Sequence, residues 1–342
     1  MSRTTIRDVA QQAQVSVATV NRVIAGHPHI KPLTLQRVLQ AAQQVGFYGL
    51  GAMQHRAALA EAQLKLGVFI QTPHLAFSQA LADGFEQACL ELKHVKVYLH
   101  LEQVADLSPE AISERITAMG RHQDAMCVQA ADHPMVAQAI DDLQKQGKPV
   151  VAIVSPLSAS SHVSYVGLDS WKVGRTAAWA FEHLCHRPGK LAMFVGTHRF
   201  RCHDLFESGF RSFVREFMPE RTLLEPLATY ESDANARELT EKLLREHPDL
   251  AGLYVSGGGV AGAIAALRDL DLQRQVLLVG HDVLPSTRSG LMDGRLAMVI
   301  AHPYQAIAQA AIQVALRARE QGPDAGGQRV YVPFNLVTRE NL

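Results

Sequence analysis

Four cysteines in 342 residues (Cys89, Cys127, Cys185 and Cys202) are too few and too scattered for a disulfide framework, which fits a reducing cytoplasm. No apolar run approaches the roughly twenty residues of a membrane span. The opening MSRTTIRDVA lacks the apolar stretch of a secretory leader. The glycine-rich SGGGVAG has neither the GxGxxG spacing nor the GK[ST] ending that cradles nucleotide phosphates, so no cofactor is expected. No GxSxG elbow is present, and Asp141 and Asp142 read as a solvated helix face. His183, Cys185, His186, His198, Cys202 and His203 are close in sequence but fit no zinc spacing, so no metal is expected either. An enzyme acting on a small polar metabolite is therefore the weaker alternative to a binding protein.

Net charge is absent as well, but only in sum. Residues 1–60 carry Arg3, Arg7, Arg22, Lys31, Arg37 and Arg56 against the single acid Asp8, a net of +5, and the remainder carries −5. A basic head on an acidic body points to nucleic acid at one end only, and its presence argues against a pure solute-binding protein. The length suits two or three domains, and 47% hydrophobic residues suffice for large cores.

The head has a definite pattern. In TIRDVAQQAQVSVATVNRV, Ile6, Val9, Ala10 and Ala13 share one helical face. Val15 plugs a turn, and Ser16 is placed to cap a second helix that buries Val20, Val23 and Ile24. Val17, Ala18, Asn21 and Arg22 are left on the outside. This is a helix-turn-helix, whose second helix is the right size for a DNA major groove. Short apolar Val17 and Ala18 suit thymine methyls, Asn21 suits adenine, and Arg22 suits guanine or a phosphate. His29 and Lys31 lie close to where backbone phosphates would run in such a domain, and Thr5, Ser16 and Thr19 are expected DNA contacts as well. A third helix is expected over about Thr34 to Val45, after the Gly- and Pro-bearing loop AGHPHIKP.

IRDVAQQAQVSVATVNRVI followed by TLQRVLQAAQQVGF resembles the N-terminus of the lac repressor (LacI/GalR) family of transcription regulators over about sixty residues. The resemblance implies a DNA-binding domain over 1–47, a hinge over 48–62 and an effector-binding core over 63–342. Family members carry an Asn-Pro turn and a hinge helix whose leucine wedges into the minor groove. Here the proline position reads Gly49 and the leucine position Arg56, with Met53 and Ala57 as apolar neighbours. Met53 and Arg56 are therefore the expected minor-groove contacts, Arg56 through charge.

From Leu64 onward, short apolar strands alternate with helices: LGVFI, VKVYLHL, AMCVQA and PVVAIV, then VSYVGL, LAMFVG, YVS, VLLVG, LAMVIA and a final VYVPFNLV. That rhythm means parallel sheets in two doubly wound lobes, an α/β core resembling the periplasmic sugar-binding proteins. By the same resemblance the chain crosses between lobes near 163, 293 and 323. Lobe one then takes about 63–163 and 293–322, and lobe two 164–292 and 323–342. The ligand cleft lies between them at the strand ends.

The resemblance marks Phe77 as an aromatic stacking on a sugar ring, Asp169 as a strand-end acid opening lobe two, and Asp282, beside His281 in VGHD, as the family's ligand-binding aspartate. Phe206 stands where relatives place a ligand-clamping arginine, which Arg201 and His203 would replace. Gly257–Gly259 stand where relatives have Asn-Asp, and His302 replaces a common glutamine. The expected protein is a cytoplasmic, homodimeric repressor of a palindromic operator, governed by a sugar-like effector that closes the lobes. No heptad tail follows the last strand to extend the dimer to a tetramer.

Overall fold

The structure, a computed structural model, describes residues 4–25, 30–59, 62–71, 76–92, 95–105, 108–159, 163–269, 276–322 and 326–342. The head contains Ile6–Gln12 (α1), Val17–Ile24 (α2), Pro32–Gln44 (α3) and Leu50–Leu59 (α4). Thr5 opens α1, where the Asp8 carboxylate accepts both its backbone N–H (2.7 Å) and its hydroxyl (2.8 Å). These two bonds hold the Asp8 pKa below its ordinary value. Ser16 caps α2 by accepting from Thr19 N–H (3.2 Å). The Arg37 guanidinium donates to the Ala13 carbonyl (2.6 Å) and so completes the C-terminus of α1 from α3. Val9, Ala10, Ala13, Val20, Val23, Val38, Ala41 and Ala42 form the core, with Phe47 and Met53.

The last of those residues corrects the domain limits. Met53 is 1% exposed and sealed in the head core by α4, so it is not free to wedge into DNA, and the folded head runs past 47. The expected three-helix head has a fourth helix, because Leu50 and Met53 supply a further apolar pair one turn apart.

The core begins with Ala62–Gln71 (β1), Ala76–Glu91 (α5), Val95–Val104 (β2), Pro109–Gly120 (α6), Ala125–Gln129 (β3), Pro134–Lys145 (α7), Val150–Ile153 (β4) and Ser164–Gly167 (β5). There follow Ser170–Leu184 (α8), Lys190–Val195 (β6), Arg201–Phe217 (α9), Leu227–Ala228 (β7), Asp233–Glu246 (α10), Leu250–Val255 (β8), Val260–Asp269 (α11), Leu277–His281 (β9), Pro285–Met292 (α12) and Met298–Ala301 (β10). Tyr304–Gln321 (α13), Arg329–Tyr331 (β11) and Asn335–Val337 (β12) complete it.

Two sheets result, in the order β11-β5-β4-β3-β1-β2 and β12-β10-β9-β8-β6-β7, parallel except where β12 pairs antiparallel with β10. Side chains alternate across β1: Leu64, Leu66, Val68 and Ile70 face the α5 and α13 layer, while Phe69 faces α6 and α7. In the second sheet α8 and α9 cover one face and α10 and α11 the other.

All three crossings fall later than the resemblance placed them. The first sheet holds β5, so the first crossing is at 168–169 and not near 163. The second sheet holds β10, which moves the second crossing from 293 to 302–303. VYVPFNLV splits, with β11 in the first sheet and β12 in the second, which moves the third from 323 to 332–334. Pro333 sits in the break, where a residue without an N–H cannot continue a ladder. Among the described residues no helix is long and apolar enough to cross a membrane.

Candidate functional site

A cavity of about 300 Å³ lies between the lobes at the carboxyl ends of both sheets. The first lobe contributes Phe77, Gln129 and Val154. The second contributes Phe200, His203 and Phe206 from α9 and the segment before it, Glu231, Gly257–Gly259, and His281 and Asp282 after β9. His302 lines it from the second crossing.

Asp282 anchors this wall. It is 4% exposed and has φ +60, a left-handed backbone that turns its carboxylate toward the crossing. Thr287 Oγ1 donates to its carbonyl (2.6 Å), and the His302 backbone N–H donates to its Oδ1 (2.8 Å). His302 Nδ1 lies 3.0 and 3.1 Å from the two carboxylate oxygens. Burial alone would raise the pKa of Asp282, but the His302 ring and the hydrogen bonds outweigh it and hold the carboxyl below its ordinary value. Phe77 meets the His302 ring edge-on at 5.4 Å, so the first lobe's aromatic and the second lobe's acid are joined through this histidine.

His281 bonds through Nε2 to the Tyr254 hydroxyl (2.8 Å), and its Nδ1 has no hydrogen-bond partner among the described residues. Complete burial pushes its pKa down to about 3, so the ring is neutral at physiological pH. Phe206 packs against it at 5.0 Å. His203 is fixed by Thr197, whose N–H donates to Nδ1 (3.1 Å). Ligand atoms of His281, Asp282 and His302 lie within 4.8 Å of one another.

Six of the eight expected effector residues thus line one cavity: Phe77, His203, Phe206, His281, Asp282 and His302. The other two do not. Asp169 caps α8, accepting from Lys172 N–H (3.2 Å), because the strand before it belongs to the first sheet and the acid falls on the crossing. Arg201 spans the lobes instead, donating to Ser158 Oγ (2.6 Å) with Asp132 at 3.9 Å. Beside it Asp132 N–H donates to the Arg199 carbonyl (2.7 Å), and Cys202 N–H to Ser155 Oγ (3.3 Å). Glu231, Gln129 and Ser256 line the cavity without having been foreseen. Cys127 and Cys202 are buried, and loss of solvent raises both thiols, Cys202 to about 12.

On the head, Val17, Ala18, Asn21 and Arg22 are all exposed on the outer face of α2, with Ser16 exposed at its start and Thr19 half-buried beside it. Thr5 and Lys31 are exposed as well. His29 and the side chain of Arg56 lie outside the described residues.

Comparison with known proteins matches the head and the core to two different domain types. Residues 5–49 match the model of bacterial regulatory proteins of the lacI family, and residues 66–322 match a periplasmic binding protein domain. Catabolite control protein A of Priestia megaterium is 26% identical over 285 residues, covering 81% of this chain and 82% of that protein. The HTH-type transcriptional regulator GalS of Salmonella typhimurium is 24% identical over 345 residues, covering 99% of this chain and 96% of its own. A periplasmic solute binding protein of Actinobacillus succinogenes, solved with bound D-allose, shares the fold at a TM-score of 0.71 and 18% identity, covering 81% of this chain and 98% of that one. In one chain and in this order, a helix-turn-helix head of the lacI family of bacterial regulatory proteins is joined to a core that belongs to the periplasmic binding protein domain family.

Proposed function

We propose that this chain is a cytoplasmic repressor that binds a palindromic operator as a homodimer and is governed by a small polyhydroxylated effector, a sugar or sugar derivative, held between its lobes. The observation that carries the reading is the position of the Asp282–His302 pair. It lies on the cavity wall and on the 302–303 crossing together, so a ligand that engages it acts on the segment about which the lobes turn. Aromatic rings from both lobes, Phe77 and Phe206, supply the apolar wall that a sugar face needs. Closure shifts the population between a dimer whose heads fit both half-sites and one whose heads do not.

Selection of bound duplexes from random DNA by the full chain tests the first half. The expected product is an inverted repeat with half-sites about one helical turn or a multiple apart. A single half-site, or no enriched sequence, overturns the dimeric operator. A thermal-shift panel of sugars, polyols, sugar acids and nucleobases tests the second. A ligand at 100 times its dissociation constant adds about 2.7 kcal/mol, a shift of a few degrees.

A further inference from the structure

The charge of the cavity is one-sided. Among the described residues its carboxylates are Glu231, Asp233 and Asp282, and its lining contains neither lysine nor arginine. Asp282 is answered by His302 (3.0 Å), and Asp233 accepts from Gly262 N–H (3.3 Å). Glu231 is answered less well. Its Oε2 accepts from Gly258 N–H (2.6 Å), whereas Oε1 is buried and accepts no hydrogen bond among the described residues. His203 Nδ1 is 3.8 Å from it but is already engaged by Thr197.

The fold goes to some length to put this carboxylate there. Tyr230 and Glu231 have φ of +54 and +60, two consecutive left-handed residues without glycine. Each such conformation is costly for a residue with a Cβ and is kept where the surroundings hold it, most often at a site. A Cβ on Gly196 or Gly258 would strike the Glu231 carboxylate, so both glycines are needed for it to fit. A buried carboxylate short of partners is costly until a cation or donors meet it. Phe200 and Phe206 line the same cavity, and aromatic rings attract a cation at their faces.

We propose that the effector carries a protonated amine received by Glu231, which makes it a small hydroxylated amine, such as an amino sugar, and not a sugar acid or sugar phosphate. This rests on the reading of the interlobe cavity as the effector site. The test is thermal shift and calorimetry on the full chain with matched probes: glucosamine, galactosamine and mannosamine, their parent sugars, their N-acetyl forms, and gluconate, glucuronate and glucose 6-phosphate. The expected result is an amine that binds at least tenfold more tightly than its parent sugar and its N-acetyl form, with no response to the anions. Glu231→Gln keeps the shape and is expected to weaken the amine at least tenfold. The comparison of probes on the unaltered chain decides the matter even if that variant does not fold. A parent sugar that binds as well as its amine, or an anion that binds, overturns the amine and leaves the cavity as effector site. An amine that binds Glu231→Gln undiminished overturns the role of Glu231. Silence across the panel overturns both readings.

Discussion

Arg22 is exposed on the reading face of α2, one helical turn on from Ala18, and its guanidinium is suited to the paired acceptors of guanine. Arg22→Ala is expected to weaken operator binding by about 1–3 kcal/mol in a gel shift at fixed salt; unchanged affinity removes it from the interface. In the cavity, Asp282→Asn is expected to abolish the effector-induced rise in melting temperature, and a normal rise would remove Asp282 from the site. His281 supplies a pH dependence. The unfolded chain takes up its proton near pH 6.5, whereas the folded chain holds off until about 3. Stability therefore falls as pH drops below 6.5, by up to about 1.4 kcal/mol per unit from this residue. His281→Gln should flatten that limb in urea titrations at pH 7, 6 and 5. Strand rhythm gives the strand ends away and so places His281 and Asp282 after a strand, helical periodicity places Arg22 on an outer face, and the roles expected of them come from the family resemblance. Glu231 was not legible. It follows a two-residue strand, and nothing in ATYESD announces consecutive left-handed residues.

Capping and close approach decide the elements. Ser16→Ala removes the acceptor for Thr19 N–H and is expected to cost the head about 1 kcal/mol, read as an earlier denaturant midpoint of the head's transition. The α8–α9 pair crosses at two glycines: a Cβ on Gly174 would meet the Phe206 carbonyl, and one on Gly209 the Trp171 carbonyl. Both obstacles are backbone, so the helices must separate. Gly209→Ala is expected to destabilise the core by about 1–3 kcal/mol in chemical denaturation, and since α9 carries His203 and Phe206 it should weaken effector binding too. Helix and strand types followed from periodicity alone, but partner choice did not. VSYVGL reads equally well as the last strand of one sheet or the first of the next, and only its pairing with β4 and β11 settles it. Met53 shows the same limit in the head, where an apolar residue in a basic linker fits a wedge or a core equally well until α4 packs.

At the scale of the molecule, Arg201 belongs to the contacts that bridge the two lobes away from the chain crossings in sequence. Exposed pairs contribute about 0–1 kcal/mol and a hydrogen bond about 0.5–1.5. Arg201→Ala is therefore expected to raise the effector's Kd by about two- to tenfold, measured by calorimetry, without emptying the site. The split of the last strands has a different kind of consequence. β11 closes one edge of the first sheet and β12 one edge of the second, and both come from residues 329–337. During synthesis the head leaves the ribosome first and needs nothing downstream to build its core, whereas neither lobe has its full sheet until those residues emerge. A nascent chain thus has all the residues of the head's core well before either lobe has its full sheet.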